Sequence, residues 1–200
     1  MLLLVGLGNP GAEYALNRHN VGFLVLDAIA EEYGFSPWRT KFQAWIAEGT
    51  LGGVKVLALK PQTFMNRSGD AVSAAMRFFK LEPSDLVVVH DEMDLAPGKV
   101  RVKTGGGTAG HNGLKDIGSH IGPDFRRVRI GVGHPGAKGL VNRHILGNFS
   151  MQEREWVADV VGAIVGAVPL LAKGEDARFM SDVAMMSAPQ DEADQADDGI

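Results

Sequence analysis

The chain has 200 residues, 45% hydrophobic and 22% charged, which is enough for one domain with a substantial core. This average composition excludes collagen-like, wholly disordered and multi-pass membrane proteins. The absence of cysteine excludes disulfides, cysteine nucleophiles and thiolate metal sites. The formal net charge is −4, from 20 basic and 24 acidic residues, and taken alone it argues against a nucleic-acid partner.

No targeting or membrane segment is predicted. The N-terminal apolar run lacks a preceding basic region and breaks at Gly6, unlike a secretory signal. The longest uncharged stretch, Val160 to Ala172, is 13 residues, which is typical of a buried helix and too short for a membrane span. We therefore expect a soluble, cytoplasmic protein.

Hydrophobic periodicity predicts strands that alternate with helices along most of the chain. In order, these are a strand at 2–5, a helix at 20–33, a hairpin of strands 44–51 and 54–59 around Gly52-Gly53, a helix at 71–79, strands at 86–89 and 100–102, a helix at 112–121, a strand at 128–132, and helices at 153–171 and 176–186. We predict one α/β domain over residues 1–186, with a mixed, mostly parallel central sheet flanked by helices. Residues 187–200 hold five acids and no base, which predicts a disordered acidic tail.

The first candidate motif, Gly6 to Gly11, follows the first strand and matches G-x-G-x-x-G. A dinucleotide-binding turn of this kind must open directly into a helix, whereas here the next helical periodicity begins about eight residues later. We favour a tight turn that presents Asn9 at the carboxyl end of the strand, where open α/β sheets bind ligands.

The second motif, Asn17-Arg18-His19-Asn20, directly precedes the first predicted helix. A histidine that a carboxylate orients can act as a general base near neutral pH. The alternative is an N-capping cluster in which Asn17 or Asn20 caps the helix and His19 is incidental.

The third motif is a run of polar residues, His90 to Asp94, at the end of an apolar strand. It places carboxylates where catalytic groups tend to lie, and it could also suggest a metal site. Adjacent strand residues point to opposite faces, so His90 and Asp91 cannot readily share one ion, and metal is not favoured. Glu92 and Asp94 could equally be solvated loop acids.

The fourth motif is the glycine-rich loop at residues 104–113, which leads into a predicted helix. Such a loop can expose successive backbone N–H groups as an anion-binding nest, with Asn112 as the helix N-cap. The alternative is a flexible connection followed by a cap.

Basic residues are concentrated between positions 99 and 143, where nine of them face only two acids. They are Lys99, Arg101, Lys103, Lys115, Arg126, Arg127, Arg129, Lys138 and Arg143. Alternation places Arg101 and Lys103 on one strand face and Arg127 and Arg129 on another. Clustered cations of this kind are typical of phosphate-backbone recognition, although a solvated basic face is the alternative. Without the six acids of residues 182–200, the rest of the chain carries a formal charge of +2, so the overall −4 does not argue against nucleic acid.

The sequence contains neither a G-x-S-x-G elbow nor an H-E-x-x-H helix. If the protein is a hydrolase, a water activated by histidine is therefore favoured over a serine nucleophile or a zinc ion. Six runs stand out between residue 2 and about residue 186: V-G-L-G-N-P-G-x-x-Y, R-H-N-x-G-F, P-x-T-F-M-N-x-S-G, H-D-E-x-D-L-x-P-G, G-G-G-x-x-G-H-N-G-L-K-D-I and R-x-R-I-G-V-G-H-P-G. Together and in this order they resemble bacterial-type peptidyl-tRNA hydrolase. Asn17 departs from the family, whose members usually carry Thr there, and leaves the catalytic positions intact.

The resemblance implies hydrolysis of the ester between a peptide and the 3′-terminal ribose of tRNA, which recycles tRNA from aborted translation. It implies a monomeric enzyme without cofactor or metal. By motif position it implies catalytic roles for His19 as general base, Asp91 as its orienting carboxylate and Asn9 as an amide donor. The substrate-binding positions that it implies are Tyr14, Met65, Asn66, His111 and Asn112. Which of the three asparagines faces the oxyanion stays open.

The same resemblance implies that tRNA phosphates bind Arg101, Lys103 and Arg129, with Lys99, Arg127 and Lys138 as helpers. Phosphate contacts carry no sequence information and make binding weaken as salt rises. We expect no membrane and no obligate protein partner. Two rival classes are a non-catalytic RNA-binding module and a metal-dependent hydrolase that uses the acids after Val89.

Overall fold

The computed structural model describes residues 1–188, and the predicted acidic tail lies outside the described residues from position 189 onward. The strands are β1 (Leu2–Gly6), β2 (Arg39–Lys41), β3 (Ala44–Leu51), β4 (Val54–Pro61), β5 (Leu86–Glu92), β6 (Val100–Thr104) and β7 (Arg126–Gly131). The α-helices are α1 (Val21–Glu32), α2 (Ser68–Phe79), α3 (Asn112–Ile121), α4 (Val141–Ile145), α5 (Met151–Ala172) and α6 (Asp176–Met186).

All seven strands join one mixed sheet in the order β2-β3-β4-β1-β5-β7-β6, which confirms the predicted α/β fold. The four central strands, β4, β1, β5 and β7, run parallel to one another. Antiparallel pairing occurs toward both edges, between β2, β3 and β4 on one side and between β7 and β6 on the other. The carboxyl ends of the parallel strands therefore meet at one edge of the sheet.

Helices cover both faces of the sheet, as the buried apolar runs of β1, β4 and β5 require. Leu2 and Leu4 of β1 face a core built with α1, α5 and α6. Leu3 and Val5 face a second core built with α2 and α3. Successive strand residues point to opposite sides of the sheet. Each polar side chain at the end of a central strand therefore lies on the side of one or the other core.

The structure extends several predicted elements. β5 continues through His90, Asp91 and Glu92, since β7 pairs with it as far as Gly131. The predicted hairpin forms around Gly52 and Gly53, both of which have positive φ as a two-residue hairpin turn requires. The strand β2 and the helix α4 were not predicted, because they have only three and five residues and little apolar periodicity.

The long helix α5 contains the uncharged stretch that was predicted to be buried. By length and composition its 22 residues could cross a membrane, but half of its most apolar window is buried within the protein. Val160, Ile164, Val168 and Leu171 belong to the core that α5 shares with α1 and α6. A core helix of a globular domain accounts for this composition.

Two glycines allow α1 to begin in direct contact with the sheet. A Cβ on Gly22 would lie 2.4 Å from the Val89 carbonyl oxygen and 2.5 Å from the Leu7 nitrogen. A Cβ on Gly6 would lie 2.3 Å from the Gly22 carbonyl oxygen. The absence of both side chains brings the segment before α1 against the ends of β1 and β5.

Candidate active site

Three buried side chains from separate elements meet at the carboxyl end of β5. The Asp91 carboxylate lies 2.8 Å and 3.0 Å from Nδ1 of His19, which precedes α1. Its Oδ1 also lies 2.9 Å from Nε2 of His111, at the start of α3. The structure thus brings together His19, the expected general base, and Asp91, its expected orienting carboxylate. It adds His111 as a second histidine.

The hydrogen bonds fix the proton positions on both imidazoles. Nδ1 of His111 accepts from the backbone N–H groups of Gly113 and Leu114, at 3.2 and 3.4 Å, so its proton is on Nε2 and is donated to Asp91. An ionised carboxylate only accepts, so His19 donates from Nδ1 and keeps the lone pair on Nε2. That Nε2 has no hydrogen-bond partner among the described residues.

The two imidazoles keep Asp91 ionised. Burial acts to raise the pKa of this carboxyl, but the electrostatic effect of His19, then that of His111, and the hydrogen bonds from both rings outweigh it. The pKa of Asp91 is therefore held well below its usual range. At neutral pH the group is a fixed negative charge beside His19.

Salt bridges and backbone contacts hold the His19 segment in place. The Arg18 guanidinium binds both carboxylate oxygens of Glu153 at 3.1 and 2.6 Å and donates to the His144 carbonyl at 3.1 Å. Glu153 also forms the capping box of α5 with Ser150. The sequence analysis did not identify Arg18, whose partners lie more than 120 residues away in the chain.

Asn9 is held with its amide nitrogen free. Its Oδ1 accepts from the Met65 N–H at 2.8 Å, and its backbone N–H and C=O are both bound by the side-chain amide of Asn20, at 3.0 and 2.9 Å. The Nδ2 group has no partner among the described residues and remains a donor. Asn20 therefore positions Asn9, and its side chain does not cap α1 as the alternative reading expected.

Of the other expected substrate-binding residues, Met65 adjoins Asn9 and Asn112 shares a cavity with this centre. Tyr14 stands edge-on to the Phe64 ring, with 6.4 Å between the ring centroids. Met65 is buried, whereas Asn66 and Asn112 are exposed. Asn112 lines a cavity of about 50 Å³ together with His19, Asp91 and His111, and part of its opposite wall comes from the α4 residues Val141, Asn142 and Ile145.

His111 occupies a position that the sequence analysis assigned to Asn112. The prediction that Asn112 is the N-cap of α3 is wrong, because the His111 ring accepts the free N–H groups of the first turn. One ring thus caps the helix through Nδ1 and binds Asp91 through Nε2. The signal was the Gly-His-Asn-Gly run itself, but only the fold shows which side chain turns inward.

The predicted separation of His90 from Asp91 is present in the structure. His90 lies on the opposite side of β5 from the His19 contact, and its Nδ1–H donates to the Asp91 carbonyl oxygen at 2.8 Å. Its Nε2 is buried and has no hydrogen-bond partner within residues 1–188. Burial, and next the proximity of His111, lower the pKa of His90 to about 3, so the ring is neutral at physiological pH.

A metal ion would require a different set of ligands from the one considered in the sequence. Ligand atoms of His19, Asp91 and His111 lie within 4.8 Å of one another. In this arrangement both histidines donate directly to the carboxylate, and His111 uses its second nitrogen on backbone N–H groups. These three side chains therefore form a hydrogen-bonded His–Asp–His chain. Of their four ring nitrogens, only Nε2 of His19 has an open lone pair.

The predicted pairings are confirmed, since Arg101 and Lys103 share one face of β6 and Arg127 and Arg129 share one face of β7. Arg126 points to the other side of the sheet, where it binds the Leu171 carbonyl and Asp176. Arg101 is directly opposite Arg129, and Lys103 is opposite Arg127, so the four point to the same side. Lys103 is exposed. Arg129 donates from Nε to the buried Glu92 carboxylate at 3.1 Å, which fixes its orientation.

Arg127 differs from its neighbours, because its side chain is 2% exposed. Arg127 was predicted to help bind phosphate. Because it is buried beneath the glycine-rich loop, it is not placed to contact a phosphate on the surface. It lines a polar cavity of about 220 Å³, shared with His90, Glu92, Lys103 and Arg129. Burial, and then repulsion from Arg129, lower the pKa of Arg127 below its usual value.

The turn after β1 does not have the geometry of a dinucleotide-binding loop. Residues Ala12–Tyr14 and Arg18–Asn20 form two short 3₁₀ turns, and α1 begins only at Val21. No helix N-terminus therefore lies directly after the Gly6–Gly11 run. The turn presents Asn9 instead, as the sequence analysis favoured.

Comparisons with known proteins agree over nearly the whole chain. A family model described as peptidyl-tRNA hydrolase matches residues 3–192. Curated proteins named peptidyl-tRNA hydrolase include one from Dinoroseobacter shibae, 59% identical over 94% of this chain and 80% of the relative. Another, from Parvibaculum lavamentivorans, is 58% identical over 96% of this chain and 94% of the relative. A crystal structure of peptidyl-tRNA hydrolase from Acinetobacter baumannii superposes with a TM-score of 0.87 at 42% identity, covering 92% of this chain and 94% of that one.

Proposed function

The chain belongs to the peptidyl-tRNA hydrolase family and is a hydrolase of this class, and we propose that it works through a water molecule activated by His19. The observation that carries this mechanism is the fixed tautomer of His19. Asp91 accepts a hydrogen bond from Nδ1–H of His19, with 2.8 Å between nitrogen and oxygen, so Nε2 is an unprotonated base without a hydrogen-bond partner among the described residues. The ester between peptide and tRNA ribose needs only an activated water and support for the resulting oxyanion.

The reaction proceeds in two proton transfers. Nε2 of His19 takes a proton from water as the water oxygen attacks the ester carbonyl, and the ionised Asp91 stabilises the imidazolium that forms. Collapse of the tetrahedral intermediate releases the ribose oxygen, which receives the proton from His19. General base catalysis of this kind is typically worth about 10²–10⁴-fold in rate. No covalent bond to the enzyme is formed.

Amide side chains hold the peptide end of the substrate. Asn9 directs its Nδ2 group as a donor because Met65 occupies its Oδ1. Asn66, which follows Met65 in the chain, and Asn112 are exposed and would bind the peptide main chain or the oxyanion. A positioned donor to an oxyanion contributes on the order of 10²–10³ in rate. Tyr14 and Met65 form the walls of the cleft. Recognition through the main chain suits an enzyme that accepts any peptide sequence.

The tRNA end binds through phosphates on the shared face of β6 and β7. Arg101, Lys103 and Arg129 present cations there, and Glu92 orients the last of them. Such contacts are independent of nucleotide sequence. We place the enzyme in the cytoplasm, where translation occurs, as a monomer that needs no metal ion, membrane or protein partner.

One assay tests this reading against its rivals. The purified full-length chain is incubated with peptidyl-tRNA, with and without a chelator, and ester cleavage is followed. We expect cleavage that the chelator does not reduce. Cleavage lost on chelation and restored by added metal would replace our mechanism with a metal-dependent one. Absence of cleavage by a chain that still binds the tRNA would favour a binding module.

A further inference from the structure

The buried Arg127 side chain is committed to the backbone of the glycine-rich loop. Its Nη1 donates to the Gly107 carbonyl at 2.8 Å, and its Nη2 donates to the carbonyls of Gly106 and Pro123 at 3.2 and 3.0 Å. The guanidinium also stacks on the Phe125 ring, 4.7 Å from the ring centroid. A side chain that donates to three carbonyls holds the loop from beneath.

These contacts determine where the loop's N–H groups point. In a trans peptide unit the C=O and N–H bonds point in opposite directions. With the carbonyls of Gly106 and Gly107 turned toward the guanidinium, the N–H groups of Gly107 and Thr108 are turned away from it. Neither N–H has a hydrogen-bond partner within residues 1–188, and Gly107 is exposed.

A cation lies beside these free donors. A Cβ on Gly106 would be 2.6 Å from Nζ of Lys103, so the ammonium group rests against the loop. Gly106 has a φ of 85°, a conformation that glycine adopts without strain. Adjacent backbone N–H groups next to an ammonium form a concavity that suits an anion.

We propose that Arg127 is a positioning residue, which turns the N–H groups of Gly107 and Thr108 outward as neutral donors to a phosphate of the RNA substrate. The proposal rests on the proposed function, because Lys103 and Arg129 supply the charge that brings the phosphate to this face. Arg127 itself does not touch the phosphate. The loop thereby adds short-range donors to a surface that otherwise binds through exposed cations.

This role predicts a kinetic signature that separates Arg127 from its basic neighbours. A cation that contacts a phosphate contributes about one to the slope of log KM against log salt concentration. Neutral N–H groups release no counterions, so their loss weakens binding without changing this slope. A residue needed only for stability would change the melting temperature and leave the KM of the folded enzyme unaltered.

The test measures KM and kcat of the full-length enzyme on peptidyl-tRNA over a series of salt concentrations. For Arg127→Met we expect KM to rise about 3–10-fold, the loss of one or two net hydrogen bonds, with kcat within about twofold and the salt slope unchanged. Arg127→Lys, which keeps the charge and can retain one carbonyl contact, should give an intermediate KM. In the reference variant, Lys103→Ala, the slope should decrease by about one.

A second pair of variants acts on the loop without altering Arg127. Gly107→Pro removes one N–H group, whereas Gly107→Ala keeps it and adds a Cβ that meets nothing within 4 Å. We expect the proline variant to have a KM about 2–5-fold above that of the alanine variant, at the same salt slope. This comparison decides the matter if Arg127→Met does not fold, and equal KM values would overturn the proposal.

Three further results would overturn it. A slope lowered by about one in Arg127→Met would mean that Arg127 contacts the phosphate directly. An unchanged KM in folded Arg127→Met would leave Arg127 a purely structural role. A fall in kcat at constant KM would mean that the loop acts through His111. If Lys103→Ala also leaves KM and slope unchanged, the phosphate surface of the proposed function is itself wrong.

Discussion

The two sides of the end of β5 carry opposite chemistry. We call one side the base side and define it by Asp91, His19 and His111. There the Asp91 carboxylate accepts hydrogen bonds from two neutral imidazoles, and the lone pair on Nε2 of His19 stays open. On the cation side, defined by His90, Glu92, Arg127 and Arg129, guanidinium groups bind a carboxylate and backbone carbonyls.

Adjacent residues of a strand point to opposite faces, so one strand end can hold a proton acceptor on one side and cations on the other. His90, on the cation side, has its ring centroid 5.1 Å from that of His111 and is kept neutral by burial. One strand end can therefore hold an anionic cluster and a cationic cluster that are adjacent in sequence but lie in separate layers.

The largest expected effect is on the base side. His19→Ala removes the open Nε2, and we expect kcat to fall by about 10²–10⁴-fold while KM stays within about twofold. Steady-state rates on peptidyl-tRNA and the binding of uncleaved substrate measure the two quantities. His134→Ala, which changes an exposed histidine outside both sides, is the control. Substantial residual turnover in His19→Ala would remove it from the role of base.

Asp91→Asn should follow with a loss of about 10²–10³-fold, because an amide oxygen can satisfy only one of the two imidazoles while its NH₂ opposes the other. The pH–rate profile should lie below that of the unaltered enzyme throughout, because His19 loses the partner that fixes its tautomer. Asp159→Asn, on the exposed side of α5, is the matched control. A profile identical to that of the unaltered enzyme would contradict the pairing.

A smaller effect is expected from the cation side. Arg101→Ala combined with Lys103→Ala should raise KM about tenfold at physiological salt and flatten the salt dependence, by about one unit of log–log slope per lost phosphate contact. The value of kcat should hold, because neither residue touches the base side. Lys55→Ala, on the exposed hairpin at the far end of the sheet, controls for overall charge. An unchanged KM would place the tRNA elsewhere.

The smallest effect is on stability. The pKa of His90 is about 3 in the folded protein against an ordinary 6.5, so between these values the unfolded chain binds a proton that the folded chain does not. The free energy of unfolding should therefore fall as pH drops through this window, by up to about 1.4 kcal/mol per pH unit for this group. Asp91, whose pKa is lowered, adds loss only at pH values near and below its ordinary 3.8.

His90→Asn keeps a donor for the Asp91 carbonyl and removes the titrating ring, so the pH dependence should become shallower. Urea unfolding at pH 4.5, 5.5 and 7 measures it, with His134→Asn as the exposed control. An equal slope in His90→Asn and the unaltered protein would show that the acid sensitivity arises from other groups.

Local patterns predicted the elements whose apolar residues repeat regularly. β3, α3 and α6 begin and end at the predicted residues, because periodicity and turn glycines define them within the chain. β5 extends three residues beyond the prediction, since its polar end is stabilised by pairing with β7, which periodicity does not reveal. β2 and α4 are too short to have a periodic signal.

The site was predictable in its residue types and in the contact between His19 and Asp91, but not in its other connections. Alternation correctly separated His90 from Asp91, and the motifs named His19 and Asp91, whose side chains lie 2.8 Å apart in the structure. The bond between His111 and Asp91, and the burial of Arg127, depend on contacts between residues 20 or more positions apart. Such contacts form only when the sheet brings strand ends together. For this reason Arg127, which the sequence predicted to be a surface cation, is buried and holds the glycine-rich loop.

The close approach at Gly6 and Gly22 limits how the protein can be engineered. Replacing a helical glycine with alanine is a common way to raise thermal stability, by about 0.5–1 kcal/mol. At Gly22 the same change would place a methyl group 2.4 Å from the Val89 carbonyl oxygen and push α1 away from the sheet. A library of stabilising substitutions should leave Gly6 and Gly22 out. The His19–Asp91 geometry requires that neither position carries a Cβ.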